Sequence, residues 1–421
     1  MRLKQILIGA TSAIALSCLS SVAFAGAVTS KEEIAVSTTG GGIKIKSDNG
    51  NSFQLGGRIH YDLDFFDGLY NSDFTDDRLG DSASEGEFRR TRIELKGSVA
   101  KDWYYKFTGE FDEGDGFLQT GYIGYKGFSF ADIQLGRFKV PFGLEELTSS
   151  NNVTTEERSS ITEFGFLTRQ APFQIGLLGS VNNIFWSAAI ADEDSEDDDG
   201  QDAYSILGRI GGHFPVGENS FVHLAGSYAT RDFGDSGEQE FRSRLGVHTL
   251  QGRPSVANRT EFGVDDAEQI GLEAAGVFGP FSLQGEYRML DFDENDDLAN
   301  ASDVDVDGFY VQASYLLTGE QRGYKGSRGA FDKVKPKGPG GAWELVAKYE
   351  EGEIDVDILP DDSEFELLTL GVNWYPNNNL KFLLNYIDAS TDNFTSAAGD
   401  DLDAAGEDDG SAVTFRAQYA F

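Results

Sequence analysis

Three arginines crowd one short stretch of this sequence, EFRRTRIELKG at residues 87–97. Arg89, Arg90 and Arg92 stand there among apolar residues that alternate along the chain. Guanidinium groups stay charged and match the oxygens of phosphate and carboxylate in pairs, so the chemistry they suit is anion binding. The whole chain, however, carries a formal net charge of −37. The fold must therefore hold this cluster apart from most of the acid.

The first residues have the features of a secretory signal peptide. Two basic residues precede an apolar run from Ile6 to Phe24, which closes with the small-x-small sequence AFA. A membrane anchor is the alternative, but small and polar residues interrupt the run. We predict a signal peptide at residues 1–25. The only cysteine, Cys18, lies inside it, so the mature chain can form no disulfide.

Charge and hydropathy narrow the remaining classes. A strongly acidic chain is a poor partner for nucleic acid, and we expect none to bind. No stretch after residue 25 approaches 18 uninterrupted apolar residues, which argues against a transmembrane helix. No motif indicates a cofactor or a metal centre.

Apolar and polar residues alternate with a period of two through most of the mature sequence. From Phe53 to Phe65 the odd positions are mostly apolar and the even ones mostly polar, which predicts a strand with one apolar and one wet face. We place sixteen such strands. They cover residues 53–66, 88–99, 102–112, 117–127, 131–138, 171–180, 184–191, 204–213, 220–230, 268–278, 281–290, 307–318, 342–351, 365–375, 380–387 and 411–421.

Short connections alternate with long, acidic ones between these strands, as in an up-and-down barrel with one periplasmic and one extracellular rim. A soluble β-sandwich also alternates, but sixteen consecutive hairpins favour closure without a free edge. The last strand ends in the aromatic Phe421, like the strands that close bacterial outer-membrane barrels. We therefore predict an all-β, transmembrane, antiparallel up-and-down barrel of about 16 strands at residues 51–421, preceded by an N-terminal periplasmic arm at residues 26–50.

Three long connections contain many of the acidic residues. Residues 192–202, 291–307 and 388–410 each contain eight acidic residues and no basic one. They are either solvated surface loops or sites for divalent cations that also bridge lipopolysaccharide phosphates, since such cations take oxygen ligands.

The basic residues of the alternating segments fall on the polar faces. A charged side chain on the lipid face near the midplane costs about 2–4 kcal/mol, so these faces are expected to line the lumen. Some of the basic residues would pair there with glutamates. The set comprises Arg58, Arg90, Arg92, Lys96, Lys106, Arg209, Arg288, Lys348, Lys381 and Arg416.

Two connections are unusual. Residues 319–341 fall on the short-turn side but are long, and they hold six basic residues against two acidic ones. A segment of this length predicts a fold into the pore mouth. Residues 139–170 take the place of the third external loop, which would form the constriction, and their basic residues are Lys139, Arg158 and Arg169.

Several motifs resemble the phosphate-selective porin O/P family of Gram-negative outer membranes, over about residues 53–421. They are LGGRIHYD, FRRTRIELKG, KDWYYKF, LGRFKVPFGLEELTSS, LTGEQRGYK, GAFDKVKP and LGVNWY. The resemblance implies a homotrimer of sixteen-stranded channels, inward third and fifth external loops, and an arginine ladder leading to lysines at the constriction. Taken with the alternation, it gives an anion path of Arg58, Arg89, Arg90, Arg92, Arg158, Arg242, Arg244, Lys325 and Lys335.

One position departs from the family pattern, because Glu146 stands where phosphate-selective members have lysine. We expect an outer-membrane porin, a passive diffusion channel for small hydrophilic solutes in which lumenal Arg and Lys guide anions such as phosphate. A general or weakly cation-selective porin without a phosphate site is the alternative. Expected partners are outer-membrane lipid and lipopolysaccharide, and small anionic or polar solutes.

An outer-membrane barrel enzyme is the rival class. It would need a nucleophile beside a base. The four histidines, His60, His213, His223 and His248, stand in no recognisable catalytic motif. We therefore expect a channel without enzymatic activity.

Overall fold

The computed structural model describes most of the chain after residue 32. It covers residues 33–38, 40–71, 83–111, 117–162, 173–192, 203–234, 237–249, 254–257, 260–395, 402 and 408–421. The predicted signal peptide, Arg169 and nearly all of the acidic connection 192–202 lie outside these residues.

Antiparallel strands make up almost all of the described structure. In chain order they are β1 (Ile34–Ser37), β2 (Ile43–Ser47), β3 (Ser52–Phe66), β4 (Ala83–Val99), β5 (Trp103–Glu110), β6 (Leu118–Tyr125), β7 (Asp132–Arg137), β8 (Phe173–Val181), β9 (Ile184–Asp192), β10 (Tyr204–Gly217), β11 (Ser220–Asp232), β12 (Glu238–Gln239), β13 (Ser255–Val256), β14 (Phe262–Phe278), β15 (Phe281–Glu294), β16 (Val304–Leu316), β17 (Gly323–Lys325), β18 (Ala330–Asp332), β19 (Ala342–Val356), β20 (Ser363–Tyr375), β21 (Leu380–Asp392), β22 (Phe394–Thr395) and β23 (Asp409–Ala420). Within the described residues, no helix is long and apolar enough to cross a membrane.

Sixteen of these strands close into a barrel. β3–β11, β14–β16, β19–β21 and β23 pair successively and antiparallel, and β23 returns to pair with β3. The closing pair sets Ala417 opposite Tyr61 and Phe415 opposite Leu63. The predicted fold class and strand number are therefore confirmed.

The alternation in sequence becomes an alternation between two sides of the wall. On β3, Ile59 and Tyr61 are exposed on the outer surface, whereas His60 and Asp62 are fully buried on the inner side. Successive side chains of a strand point to opposite faces, so one register places every polar residue inward. This part of the wall follows the predicted lumen-facing pattern.

The alternation reverses at the outer ends of several strands. β15 continues through Asp291 and Phe292, and β16 begins at Val304, so the prediction that residues 291–307 form one loop was wrong at both ends. Phe292 and Val304 are buried inside the barrel, while Asp291 and Asp305 lie opposite each other on the outer face. The reversal has a physical reason. Above the membrane the outer face meets water, and the interior is packed with loops.

The fifth external loop, which was predicted at residues 231–267 and connects β11 to β14, supplies much of that packing. Phe241, Leu245 and Val247 are fully buried in one apolar cluster with Phe292 of β15 and Phe365 of β20. The loop thus fills the outer half of the barrel on the β14–β21 side. The open space is left beside the opposite strands.

The unusually long connection on the periplasmic side also folds inward. β17 and β18 form a small hairpin, and the Tyr324 ring lies 4.6 Å from Phe221 of the wall. Phe331 N donates a hydrogen bond to Thr148 Oγ1 of the third external loop. This segment therefore meets the third loop inside the pore, as its length predicted.

The residues before the barrel extend the wall at the start of β3. β1 and β2 form a hairpin, and β2 pairs with the first residues of β3, setting Ile43 opposite Leu55. The turn of the hairpin lies against the last residue. Gly41 has φ of +87°, and a Cβ there would lie 2.8 Å from Cβ of Phe421. Only glycine fits this close approach.

Candidate functional site

The open space inside the barrel is a cavity of about 1070 Å³. It is bounded by the wall, the third external loop and the β17–β18 hairpin. Fifteen Lys and Arg residues line it against four Asp and Glu, although the chain as a whole is strongly acidic. The basic residues are Arg58, Arg89, Arg90, Arg92, Lys96, Lys106, Arg137, Lys139, Arg158, Arg209, Arg244, Lys325, Arg328, Lys333 and Lys381.

Most of the predicted anion path reaches this cavity. Arg58, Arg89, Arg90, Arg92, Arg158, Arg244 and Lys325 are among its lining residues. Arg242 and Lys335 are not among them. Arg242 lies 3.3 Å from Glu240 within the fifth loop, and Lys335 is exposed beyond the β17–β18 hairpin.

The third external loop narrows the cavity and contains the short helix α1 (Leu144–Leu147). Glu286 of β15 accepts hydrogen bonds from the backbone N–H groups of Leu144 and Glu145, at 3.1 and 2.6 Å. The residue before the helix, Gly143, has φ of +78°, and a Cβ there would lie 2.4 Å from the Arg288 guanidinium. A glycine is therefore required where the loop turns against the wall.

Side chains of the wall hold the rest of the loop through its backbone. Asn373 donates to Thr154 O at 2.8 Å, Asn385 accepts from Glu156 N at 2.9 Å, and Glu350 accepts from Ser160 N at 2.6 Å. Lys381 and Arg416 donate to further loop carbonyls. A loop with this many buried backbone partners is a fixed part of the pore.

The predicted arginine ladder is built into ion pairs. Glu157 of the third loop lies 3.0 Å from Arg89 and 3.5 Å from Arg90, and it also contacts Arg416. Burial raises the pKa of Glu157, but Arg89, Arg90 and Arg416 together hold that pKa well below its usual range. Arg92 pairs with Glu110 of the neighbouring strand. Arg89 and Arg90 thus hold the loop against the wall, and Arg89, Arg90 and Arg92 all line the cavity.

Glu146, the departure from the family pattern, is also paired. Its carboxylate lies 2.9 Å from Lys139 Nζ and 3.4 Å from Arg158 Nε. Burial and the neighbouring Arg158 lower the pKa of Lys139 to about 7, although Glu146 raises it. The acid is therefore neutralised by two cations of its own loop.

Arg58 differs from the other predicted arginines. Its guanidinium donates a hydrogen bond to Ser150 Oγ at 2.8 Å, and it forms no ion pair with a carboxylate of the described residues. No direct ion pair therefore compensates its charge. The alternation on β3 was the signal that placed it correctly.

Arg137 is a lining residue that the anion path predicted from the sequence did not include. It ends the six-residue strand β7, where the period-two signal is shortest. Arg209 lines the cavity too, but it is bound to Glu273 at 2.7 Å and donates to the carbonyl of Gly329 at 2.8 Å. Arg209 therefore anchors the β17–β18 hairpin to the wall.

Comparison with known proteins gives consistent matches. Residues 53–421 match the family model described as phosphate-selective porin O and P. Porin O of Pseudomonas aeruginosa is 34% identical over 448 aligned residues, which cover 97% of this chain and 98% of that protein. An uncharacterized protein of Caulobacter vibrioides is 26% identical over 80% of this chain and 68% of its own length.

Solved structures resemble the fold at low sequence identity. A loop-deletion mutant of OmpT from Vibrio cholerae superposes with a TM-score of 0.55 at 15% identity, over 88% of this chain and 100% of that one. An anion-selective porin from Comamonas acidovorans superposes with a TM-score of 0.54 at 14% sequence identity, over 88% of this chain and 100% of that one. The outer-membrane channel DcaP of Acinetobacter baumannii superposes with a TM-score of 0.54 at 13% sequence identity, over 89% of this chain and 99% of that one. These likenesses concern the barrel architecture.

Proposed function

The chain belongs to the phosphate-selective porin O and P family of outer-membrane porins, and we propose that its pore guides small anions, phosphate among them. The protein is an outer-membrane diffusion channel. Its finer selectivity is the subject of the proposal.

The excess of basic residues around the cavity carries this proposal. Fifteen Lys and Arg face four Asp and Glu there, within a chain whose net charge is −37. A cleft lined by one sign of charge between low-dielectric walls concentrates counter-ions inside it. Anions should therefore partition into the lumen even though the protein as a whole repels them.

The ion pairs set how tightly an anion would be held. Arg89, Arg90 and Arg92 share their charge with Glu157 and Glu110, so each offers an anion a weak site. Arg58 offers a stronger one, because no described carboxylate pairs with it. Conduction requires binding that is favourable enough for entry and weak enough for release. A series of partly compensated cations meets both needs.

A general or weakly cation-selective porin is the second candidate. It is favoured by the pairing of Glu146 with Lys139 and Arg158, which withdraws two cations near the constriction. Reversal potentials in planar bilayers under a KCl gradient separate the two candidates. We expect the sign of an anion-selective pore, and a cation-selective sign would reject the proposal. Block of the chloride current by phosphate then tests for a phosphate site.

We also propose a homotrimer. Strands β5–β9 have only six to nine residues, whereas the other barrel strands have 12–17. Six residues of β7 span about 20 Å along the strand, less than the apolar band of about 25 Å even before tilt. Ile123, Leu135 and Ile175 are nevertheless exposed on this low wall. Neighbouring subunits of a trimer would cover the apolar outer face of these short strands.

The remaining surfaces fit outer-membrane lipid and lipopolysaccharide as partners. Above the lipid-facing apolar residues, Asp291, Asp305 and Asp355 lie side by side across three strands. Carboxylates at this height would meet lipopolysaccharide phosphates through divalent cations. We further propose that residues 1–25 are removed on export and that residues 26–50 remain on the periplasmic side, where the β1–β2 hairpin contacts Phe421.

We propose that the channel has no enzymatic activity. His60 contacts Asn151, His223 lies between Tyr324 and Glu273, and His248 contacts Glu87. These are positions that hold loops against the wall, and none of the three pairs with a serine hydroxyl among the described residues. Purified protein should not hydrolyse ester or peptide substrates, and turnover in such an assay would reject this part of the proposal.

A further inference from the structure

The tip of the β17–β18 hairpin, residues 325–329, lies on a pair of histidines. His213 of β10 and His223 of β11 stand directly opposite each other in the strand register. The Tyr324 ring of the hairpin packs against both imidazoles, at 5.6 Å from His213 and 5.8 Å from His223 between ring centroids. A Cβ added at Gly326 would overlap Cε1 of the His213 ring, so the backbone of the tip lies directly on this side chain. The two histidines thus form a floor on which the tip rests.

His223 is the fixed half of this floor. It is fully buried, and its Nδ1 lies 2.6 Å from the Tyr324 hydroxyl, while its Nε2 lies 3.2 Å from Glu273 Oε2. Arg209 binds the same carboxylate at 2.7 Å and donates a hydrogen bond to the carbonyl of Gly329 at 2.8 Å. Both ring nitrogens of His223 therefore have partners, and the far end of the tip is tied to the wall.

His213 is held less completely. Its Nδ1 is buried and has no hydrogen-bond partner among the described residues. The carbonyl of Asn183 already accepts a hydrogen bond from the backbone N–H of His213. A neutral imidazole is tolerated in this position, because its free nitrogen is only a lone acceptor. A protonated ring would place a charge and an additional donor beneath the tip, which burial disfavours.

The charged and titratable groups around His213 offer it no free counter-ion within the described part of the chain. Those that the tip and β11 bring to this floor are His223, Tyr324, Lys325 and Arg328. Two carboxylates lie in the same region and are already paired, Glu273 with Arg209 and Asp332 with Lys325. Solvation by water is therefore the main means of stabilising a charged His213, and the docked tip keeps water from its Nδ1.

We propose that the tip of the β17–β18 hairpin is a proton-driven gate, in which protonation of His213 releases the tip into the pore and lowers the conductance. The ring binds a proton more favourably once the tip has lifted and water reaches it, so acid must favour the lifted position. The wall lies behind the tip and the cavity in front of it, where Lys325, Ser327 and Arg328 already form part of the lining. A released tip therefore moves into the path. This gate does not depend on which ions the pore prefers.

Single-channel recording in planar bilayers tests the gate. A bath of about 1 M KCl screens surface charge, so that changes in ion selectivity contribute little to the conductance. The wild type should conduct steadily at about pH 7.5 and close reversibly at about pH 5, with a midpoint below about pH 6.5, the ordinary pKa of histidine. His213→Gln should lose these closures. Lys139→Gln removes the other group that titrates near neutrality and should keep them. A wild type that conducts equally at both pH values, or acid closures that persist in His213→Gln, would overturn the proposal.

A glycine substitution supplies a second arm that needs no titration. Gly326→Ala should lower the conductance at about pH 7.5 as well, because its methyl group would overlap the His213 ring and keep the tip lifted. Gly338→Ala is the matched control, since a Cβ at Gly338 would have nothing within 4 Å. Heat-modifiable migration on gels establishes that each variant is folded. If His213→Gln does not fold, this pair decides: equal neutral-pH conductance in the two alanine variants would reject the gate.

Discussion

Lys139 Nζ lies 2.9 Å from Glu146 Oε1, so the acid that departs from the family pattern is compensated within its own loop. Arg158 contacts the same carboxylate from the other side. Glu146 therefore acts less as a negative gate than as a group that restrains two cations. The anion selectivity of the pore should therefore depend on whether Glu146 keeps its ion pairs with Lys139 and Arg158.

Glu146→Gln should increase anion selectivity, because it removes one negative charge from the cavity lining and ends the compensation of Arg158 by this carboxylate. Removing one unit charge about 4 Å from a passing anion is worth about 1 kcal/mol in water-like surroundings, or roughly fivefold in partitioning. The measurement is the chloride-to-potassium permeability ratio from reversal potentials. Asp305→Asn is the matched control, since it removes the same charge from the exposed outer face and Asp305 does not line the cavity. A ratio that stays at the wild-type value in Glu146→Gln would contradict the assignment.

The pH dependence of selectivity should follow Lys139. Its pKa is lowered to about 7, so the side chain is charged below that pH and becomes neutral above it. Anion selectivity should accordingly fall between about pH 6 and about pH 8, with chloride as the test anion. Lys139→Gln should be less selective at the lower pH and flat across this range. An equally steep profile in that variant would assign the titration to another group.

Arg92 and Glu110 should behave as a coupled pair. Arg92→Gln removes a cation and also the charge that compensates Glu110 in the cavity lining, so anion selectivity should fall by more than the loss of one positive charge would explain. Adding Glu110→Gln should recover part of the loss. The permeability ratios of the two single variants and the double variant form a cycle that measures the coupling. Additive effects would show that the pair is not maintained in the open pore.

Arg416→Gln should destabilise the barrel and its constriction. Arg416 contacts both oxygens of Asp62 and also Glu157, and its side chain is almost completely buried. Removing one partner from a buried pair costs about 3–5 kcal/mol. Thermal unfolding should occur at a lower temperature, and single-channel conductance should become more variable. Lys96→Gln, at a half-exposed pair with Glu94, should change stability by about 1 kcal/mol or less.

The sequence predicted the barrel because the alternation of apolar and polar residues along a strand depends only on neighbouring residues, and in the folded wall it becomes the outer and inner faces. All sixteen strands were placed, and Arg58 was assigned to the lumen from its register alone. The outer ends of β15 and β16 were missed. The prediction assumed that polar residues of a strand face a water-filled interior, and Asp291 and Asp305, which do not fit that pattern, were therefore assigned to a loop. Packing of the fifth loop inside the barrel reverses that assumption. A period-two pattern does not reveal it.

The partners of the arginines could not be predicted in the same way. Glu157 lies 68 residues from Arg89 in a loop without periodicity, and only the folded loop brings the two together. Arg137 was missed for a different reason, since β7 is too short for a clear alternation. Local patterns thus identified the cations, while tertiary contacts decide which of them remain available to an anion.

The pairing of β23 with β3 also has a consequence for folding kinetics. Arg416 and Asp62 meet across this seam although 354 residues separate them in sequence. Contacts between such distant segments form slowly, because the entropy of closing the intervening chain opposes them until neighbouring strands are in place. The first barrel strand must therefore wait, with one edge unpaired, until the end of the chain has been delivered. A periplasmic holding factor that masks this edge would be expected to limit aggregation during assembly.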